Sequence, residues 1–364
     1  MILSLYIARR FVGMFLRVFG VFLGIMLLID GIDQLRRHAA SGITVSEAFY
    51  MALLNAPESL YRILPLVMIL SAIGLFLGLA RSSELVVVRA AGRSGLRFLM
   101  APVGAALAIG LLAVAVMNPL VAATSKEYDR LSALRGSGGS ILSVSSEGLW
   151  LRQGDGSGQT VIRAGRVAPD GTRLQEVTFY LYAPDGAPQA RIEAAEAVLE
   201  PGNWMLRDAK RWDLTQPNPE AGASLAATGL TLTTDLTAAR IREGFGAPSA
   251  IAFWDLPGYI RNLERAGFSA RNYQVWMQME LAFPLLLCTM VLVAAGFTMR
   301  HSRAGRTGQM VLMALACGFF LFFLRNFAQV LGENGQIPVL VAAWSPPVAA
   351  ALMALSLLLH LEDG

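Results

Sequence analysis

The chain has 364 residues, 55% of them hydrophobic and 15% charged, with a formal net charge of +4 and a mean hydropathy of +0.52. That composition excludes an ordinary soluble globular domain and puts the chain in a bilayer. Lys126 and Lys210 are the only lysines, and the arginines are scattered between apolar runs; this suits carboxylate, phosphate and lipid-headgroup contacts and gives no case for nucleic acid.

The first apolar run, about residues 11–29, follows Arg9 and Arg10 and is long enough to span a membrane. An arginine pair before an apolar run also opens secretory and twin-arginine signals, but this run is long for a signal core and further spans follow. Gly20 and Gly24 give it a GxxxG spacing that permits close approach of a neighbour. A polar stretch, 30–46, leads to a second run that starts near Leu60 or Ile63 and ends at Ala80. Pro57 and Pro65 stand at its start, and Gly74 and Gly78 lie inside it.

Between the second and third runs lies Arg81-Ser-Ser-Glu-Leu-Val-Val-Val-Arg-Ala-Ala-Gly92. It reads as a short helix on the membrane surface. Ser82 or Ser83 caps it, Glu84 falls in the first turn where the dipole favours an anion, Arg89 falls near the last turn, and Gly92 suits a left-handed stop. Three successive valines are poor helix formers, so an ordinary loop is the other reading.

The third run, about 98–116, ends at Asn118-Pro119. From 122 to 271 the chain is polar, with turn signals at 154–158, 169–171, 184–186 and 201–203 and alternating stretches at 177–182, 204–207 and 230–233. These predict short antiparallel strands in a sandwich or jelly roll. Asp255 and Pro257 then open an amphipathic helix with Leu256, Ile260 and Leu263 on one face. Three more spans follow at about 275–298, 310–331 and 339–359. The predicted fold is a multi-pass α-helical membrane protein, six transmembrane helices in a 3+3 arrangement with an inserted all-β, jelly-roll-like domain. Its divisions are 1–121, 122–254, a connecting helix within 255–274, and 275–364.

Charge sets the expected orientation. Arg9, Arg10 and Arg17, then Arg81, Arg89, Arg93 and Arg97, then Arg300, Arg303 and Arg306 share one side; the other has only Arg36, Arg37 and Arg62 in its short loops. Both termini are therefore expected in the cytoplasm and the β-domain outside it.

Catalytic signatures are sparse. There is no Gly-Lys dipeptide and so no Walker loop, no HExxH or CxxC, and no GxSxG elbow. His38, His301 and His360 lie far apart, so no metal ligands are assigned. A serine triad, recognised by geometry and not by order, stays open. Cys288 and Cys317 sit in apolar runs and predict no disulfide.

Two charges inside spans need an account, since each costs about 2.5 to 3.5 kcal/mol at a helix centre. Glu280 and Arg325 stand at matching depths in the fourth and fifth spans. They pair, or Arg325 faces an anionic substrate, or both snorkel to the interface. Arg36, Arg37 and Arg62 form either a basic rim for lipid phosphates or a solvated cluster.

The Arg81–Gly92 motif, the Gly31-Ile-Asp-Gln-Leu-Arg-Arg37 segment, Leu64-Pro65 and Ala342-Ala-Trp-Ser-Pro346 together resemble the permeases of the lipopolysaccharide-export ABC transporter, the LptF/LptG family. The likeness covers the whole chain, and Asp33–Arg37 favours the LptG branch. What it implies is a non-catalytic half of a heterodimeric permease in the Gram-negative inner membrane, with an LptF-type paralogue as its other half. A dimer of a cytoplasmic LptB-type ATPase would consume ATP and Mg, this chain binding no cofactor, and LptC-type and LptA-type proteins would form the periplasmic bridge. Ser83, Glu84, Leu85, Arg89 and Gly92 would belong to a coupling helix seated on the ATPase. Arg36 and Arg37, with Arg62 and Arg325 as further candidates, would contact lipopolysaccharide. One departure stands out: Asp30 occupies a position, one turn before Asp33-Gln34, where the family's pattern leads one to expect a basic residue. Competing classes are the paralogous LptF-type subunit, an ABC-linked mechanotransmitter that passes no lipid, and a membrane-bound enzyme with an outer catalytic domain.

Overall fold

In hydrocarbon an unpaired backbone amide has no water to turn to, so long apolar runs close their hydrogen bonds within themselves as helices. A computed structural model describes residues 2–37, 44–82, 84, 95–135, 141–145, 148–155, 158–167, 172–234, 236–237, 247–265, 269–299 and 307–363. Among them are six helices long and apolar enough to cross a membrane. The chain divides into two compact units, one of residues 1–128, 249–254 and 271–364, the other of 129–248 and 255–270.

In the helical unit α1 covers Ile2–Arg37 and α2 covers Val45–Arg81. The second helix thus starts well before the predicted run and contains both Pro57 and Pro65. Its start is set by a capping box: the Thr44 side chain accepts from the Glu47 amide, and the Glu47 carboxylate accepts from the Thr44 amide.

The third span is α3, Gly95–Leu112, continued by a π-helical turn at Ala113–Met117 and by α4, Asn118–Arg135. Here the sequence reading stops too early, because the helix runs on through Pro119. A proline leaves the carbonyl four residues back, that of Ala115, without its amide donor. The Trp254 indole donates to that carbonyl at 3.3 Å, and the neighbouring Phe253 amide donates to Asn118 Oδ1 at 2.7 Å. The break predicted at Asn118-Pro119 is thereby bridged from a distant segment of the same unit.

The last three spans are α6, Arg271–Thr298, α7, Thr307–Glu333, and α8, Val339–Asp363; α5, Leu256–Arg265, precedes them in the second unit. Helices α2 and α6 hold most of the buried core, including Leu64, Met68, Phe76, Phe283 and Leu287. Close packing depends on Gly110 of α3, where an added Cβ would lie 2.6 Å from the Pro284 Cα. Outward, α1 and α7 expose large apolar side chains such as Leu16, Val21, Leu28, Phe320, Phe323 and Phe327, as a surface facing lipid or another apolar partner requires.

Among the described residues the second unit holds a seven-stranded antiparallel sheet whose strands pair strictly in chain order, β1 Ile141–Ser145, β2 Gly148–Asp155, β3 Gly158–Val167, β4 Arg173–Tyr182, β5 Pro188–Glu200, β6 Asn203–Asp213 and β7 Ser224–Thr233. It is the inserted all-β domain expected between the third and fourth spans, with each connection among these strands joining immediate neighbours. One face carries Leu151, Ile162, Phe179, Ile192, Trp204 and Leu206, all buried, with Phe179 and Trp204 edge to face at 6.3 Å. Alternation breaks where Glu176 and Asp208 take positive φ, 55° and 50°; there β4, β5 and β6 leave Glu176, Ala195 and Asp208 out of the pairing without a change of register. Helix α5 buries Leu256, Ile260 and Leu263, the three residues expected on its apolar face.

Candidate functional site

Glu84 follows the end of α2 and is reached by α1. The two helices are antiparallel, and residues four apart on one meet residues four apart on the other. The Met14 side chain fills the space a Cβ would need at Gly74, and Arg10 Nη2 lies 3.9 Å from where a Cβ would stand at Gly78. One turn on, Ser82 ends α2, its amide donating to the Gly78 carbonyl at 3.1 Å. Past that turn Arg10 Nη1 donates to Glu84 Oε1 at 2.6 Å, and Ser82 Oγ donates to the same oxygen at 2.7 Å. The Tyr6 hydroxyl receives Arg10 at 2.9 Å and donates to Glu84 Oε2 at 3.4 Å. Arg10's hydrogen bond, followed by that of Ser82, holds the Glu84 carboxyl below its ordinary range. Both side chains of the pair remain 34% exposed, so the contact adds little stability but fixes where the carboxylate points. Ser83, Leu85, Arg89 and Gly92 lie outside the described residues.

A second cluster lies deep among the spans. Glu280 of α6 is 0% exposed. It therefore does not snorkel. Its Oε2 accepts from the Tyr61 hydroxyl of α2, and Oε1 has no hydrogen-bond partner among the described residues. Tyr61 stacks on Phe283 at 5.0 Å, and the Arg325 guanidinium stands 5.9 Å from the other-helix Phe283 ring centroid. The direct Glu280–Arg325 pair considered from the sequence is replaced by a three-helix arrangement: no ion pair joins the two among the described residues, and Tyr61 takes the contact position. Arg325 still acts on Glu280 and Tyr61 through space, and Asn118 stands beside both. Sequence reasoning missed Tyr61 and Asn118, for nothing in the local pattern marks either.

A third group sits at the opposite end of α1. Arg37 pairs with Asp33 at 2.7 Å and Arg62 with Glu58 at 3.0 Å, each one turn away on its own helix. Arg36 is exposed. Glu58 also accepts from Ser125 at 3.1 Å, and Asp30 accepts from Asn55 at 3.0 Å. The unexpected acid at position 30 thus stitches α1 to α2. Gln34, buried, donates to the Tyr128 hydroxyl at 2.7 Å. These arginines can offer paired donors to a phosphate, at the cost of releasing a nearby carboxylate for two of them. Among the described residues no three His, Cys, Asp or Glu side chains gather as a metal site, and Cys288 and Cys317 are free thiols.

Comparison with known proteins adds a whole-length likeness. Residues 5–360 match the family described as lipopolysaccharide export system permease LptF/LptG. The chain is 26% identical over 365 residues to the lipopolysaccharide export system permease protein LptG of Escherichia coli (strain K12), covering 99% of this chain and 98% of that one. It is 24% identical over 371 residues to the protein of the same name in Haemophilus influenzae, covering 99% of each.

Proposed function

This chain belongs to the LptF/LptG family of lipopolysaccharide export system permeases, and from that we propose that it is the LptG-type half of an inner-membrane permease that lifts lipopolysaccharide out of the bilayer. The work is done by a separate cytoplasmic ATPase dimer that binds ATP and Mg; this chain itself catalyses nothing. An LptF-type paralogue supplies the other half of the gate. LptC-type and LptA-type proteins carry the lipid onward. Both termini face the cytoplasm and the inserted sheet faces the periplasm, a reading supported by the arginines that follow alternate spans.

The observation that carries this reading is the full-length correspondence of three spans, an inserted antiparallel sheet and three spans, with Glu84 presented where the second span ends. A chain without a nucleotide-binding loop needs a rigid contact for a motor, and Glu84, held by Ser82 beside it, offers one. Arg36, Arg37 and Arg62 at the outer end, and Arg325 deeper in, provide guanidinium groups for lipid phosphates. The exposed Phe327 of α7 suits acyl chains. A photocrosslinker placed at Arg36 or Phe327 in the co-purified complex tests the proposal. It captures lipopolysaccharide in an ATP-dependent manner if the reading holds; capture of none, with the complex intact, contradicts it.

A further inference from the structure

Glu84 is already spoken for before any partner arrives. Its carboxylate is gripped from α1, 74 residues earlier in the chain, by Arg10 at 2.6 Å, with Tyr6 bridging the two at 2.9 and 3.4 Å. The grip is built and not incidental. Tyr6, Arg10 and Met14 recur every four residues on α1, as Gly74, Gly78 and Ser82 do on α2, and Met14 meets Gly74 while Arg10 reaches Gly78. A side chain at Gly74 would collide with the Met14 methyl group. Small residues at the first two positions let the helices approach closely enough for a guanidinium on one to reach a carboxylate beyond the end of the other. The Tyr6 ring lies under the same guanidinium, 5.9 Å from centroid to Cζ, which further limits where it points.

We infer that Arg10 is a positioning residue for the coupling carboxylate: the Tyr6–Arg10–Met14 ridge in the Gly74–Gly78 groove fixes Glu84 and joins the first span to the segment the motor holds. The inference rests on the reading of Glu84 as the motor contact and adds a route by which movement there reaches α1. Apolar packing already joins α1 to α2, and Asn55 bonds Asp30 near their other ends; the Arg10 contact adds a polar link from the start of α1 to Glu84 itself. The start of α1 then follows a pull on Glu84, and α1 is the span that presents most of its apolar surface outward. Among the described residues Arg10 and Ser82 share Glu84 Oε1, and Oε2 takes the longer Tyr6 contact.

The test uses the full complex in vesicles containing lipopolysaccharide, with three quantities read together: ATPase retained on the permease, ATP hydrolysed, and lipid released. Arg10→Gln is expected to keep the ATPase bound to within two-fold of wild type while lowering lipid released per ATP by about five-fold. Arg10→Lys, which keeps the charge, should recover most of the loss, and Arg10→Gln combined with Glu84→Gln should be no worse than Glu84→Gln alone. Wild-type lipid release per ATP in Arg10→Gln, or losses that add in the double variant, would overturn the role of Arg10 and leave that of Glu84 standing. If Glu84→Gln changed neither ATPase retention nor coupling, the motor-contact reading itself would fall, and this inference with it. Should Arg10→Gln not assemble, the exchange Arg10→Glu with Glu84→Arg decides: recovered coupling supports the pair, and an assembled but uncoupled exchange overturns it.

Discussion

The Tyr61 hydroxyl donates to the carboxylate of Glu280, 219 residues further along the chain, and so binds the second span to the fourth inside the bundle. It is one of the buried polar contacts between spans, as is that of the Thr289 hydroxyl with the Pro347 carbonyl. Removing the Tyr61 hydroxyl leaves a fully buried carboxyl without its donor, a penalty of about 1 to 3 kcal/mol. Tyr61→Phe should therefore lower the thermal unfolding midpoint of the detergent-purified protein. Adding Glu280→Leu to Tyr61→Phe should restore part of the loss, because no polar group is then stranded.

Arg325 balances this site electrostatically without touching Glu280. Neutralising only one of two charges in a low-dielectric core leaves the other uncompensated, whereas neutralising both does not. Arg325→Met and Glu280→Gln should each destabilise by about 1 to 3 kcal/mol, and the double variant by less than their sum. An export assay on Arg325→Met separates a structural from a lipid-contacting role: loss of lipid binding beyond what Glu280→Gln causes identifies the guanidinium as a lipid contact.

Glycines on the two faces of the bundle should respond oppositely. Gly110→Ala forces a methyl against the backbone of Pro284, which cannot yield as a side chain can. It should unfold the protein at lower temperature, by a loss of about 1 to 3 kcal/mol. Gly20→Ala meets nothing within 4 Å in the chain alone. The isolated subunit should tolerate it, so any defect confined to the assembled complex would locate a partner helix against that face.

The grip on Glu84 sets a pH dependence. Hydrogen bonds from Arg10 and then Ser82 favour the ionised form, so the folded-state value lies below the ordinary 4.5. Whatever this contact contributes is fully present above the ordinary value and is lost as pH falls through the lowered one. Near neutral pH it should not vary. A carboxyl-carbon NMR titration of Glu84 should show a depressed midpoint that returns toward 4.5 in Arg10→Gln; an unchanged midpoint in that variant would show that the arginine is not the cause.

What the sequence discloses follows the range of its signals. Spanning runs are legible because a bilayer imposes length and apolarity on contiguous residues, and Leu256, Ile260 and Leu263 are legible because helical periodicity is local. The buried state of Glu280 could be suspected from the apolar run around it. Its partner could not, since Tyr61 comes from another span and no spacing rule joins them. The same holds for Arg10 and Glu84: both residues stood out, one as a flanking cation and one in a loop motif, yet only the antiparallel packing of α1 on α2 brings them together. Pro119 misled because its ordinary effect as a helix breaker is offset by Trp254, 139 residues from the carbonyl it satisfies. Thr44 and Glu47 are a different case, a capping signature in plain view just ahead of the predicted second span.

The central claim is that lipid leaves the bilayer through this permease because a motor acts on it at Glu84. Its most direct measurement is lipopolysaccharide released per ATP hydrolysed from vesicles holding the permease pair and its ATPase, with wild-type chain and with Glu84→Gln. The account predicts ATP-dependent release that falls sharply in the variant while the bundle stays folded. Release at the wild-type ratio from Glu84→Gln, or hydrolysis by this chain without the ATPase, would contradict it.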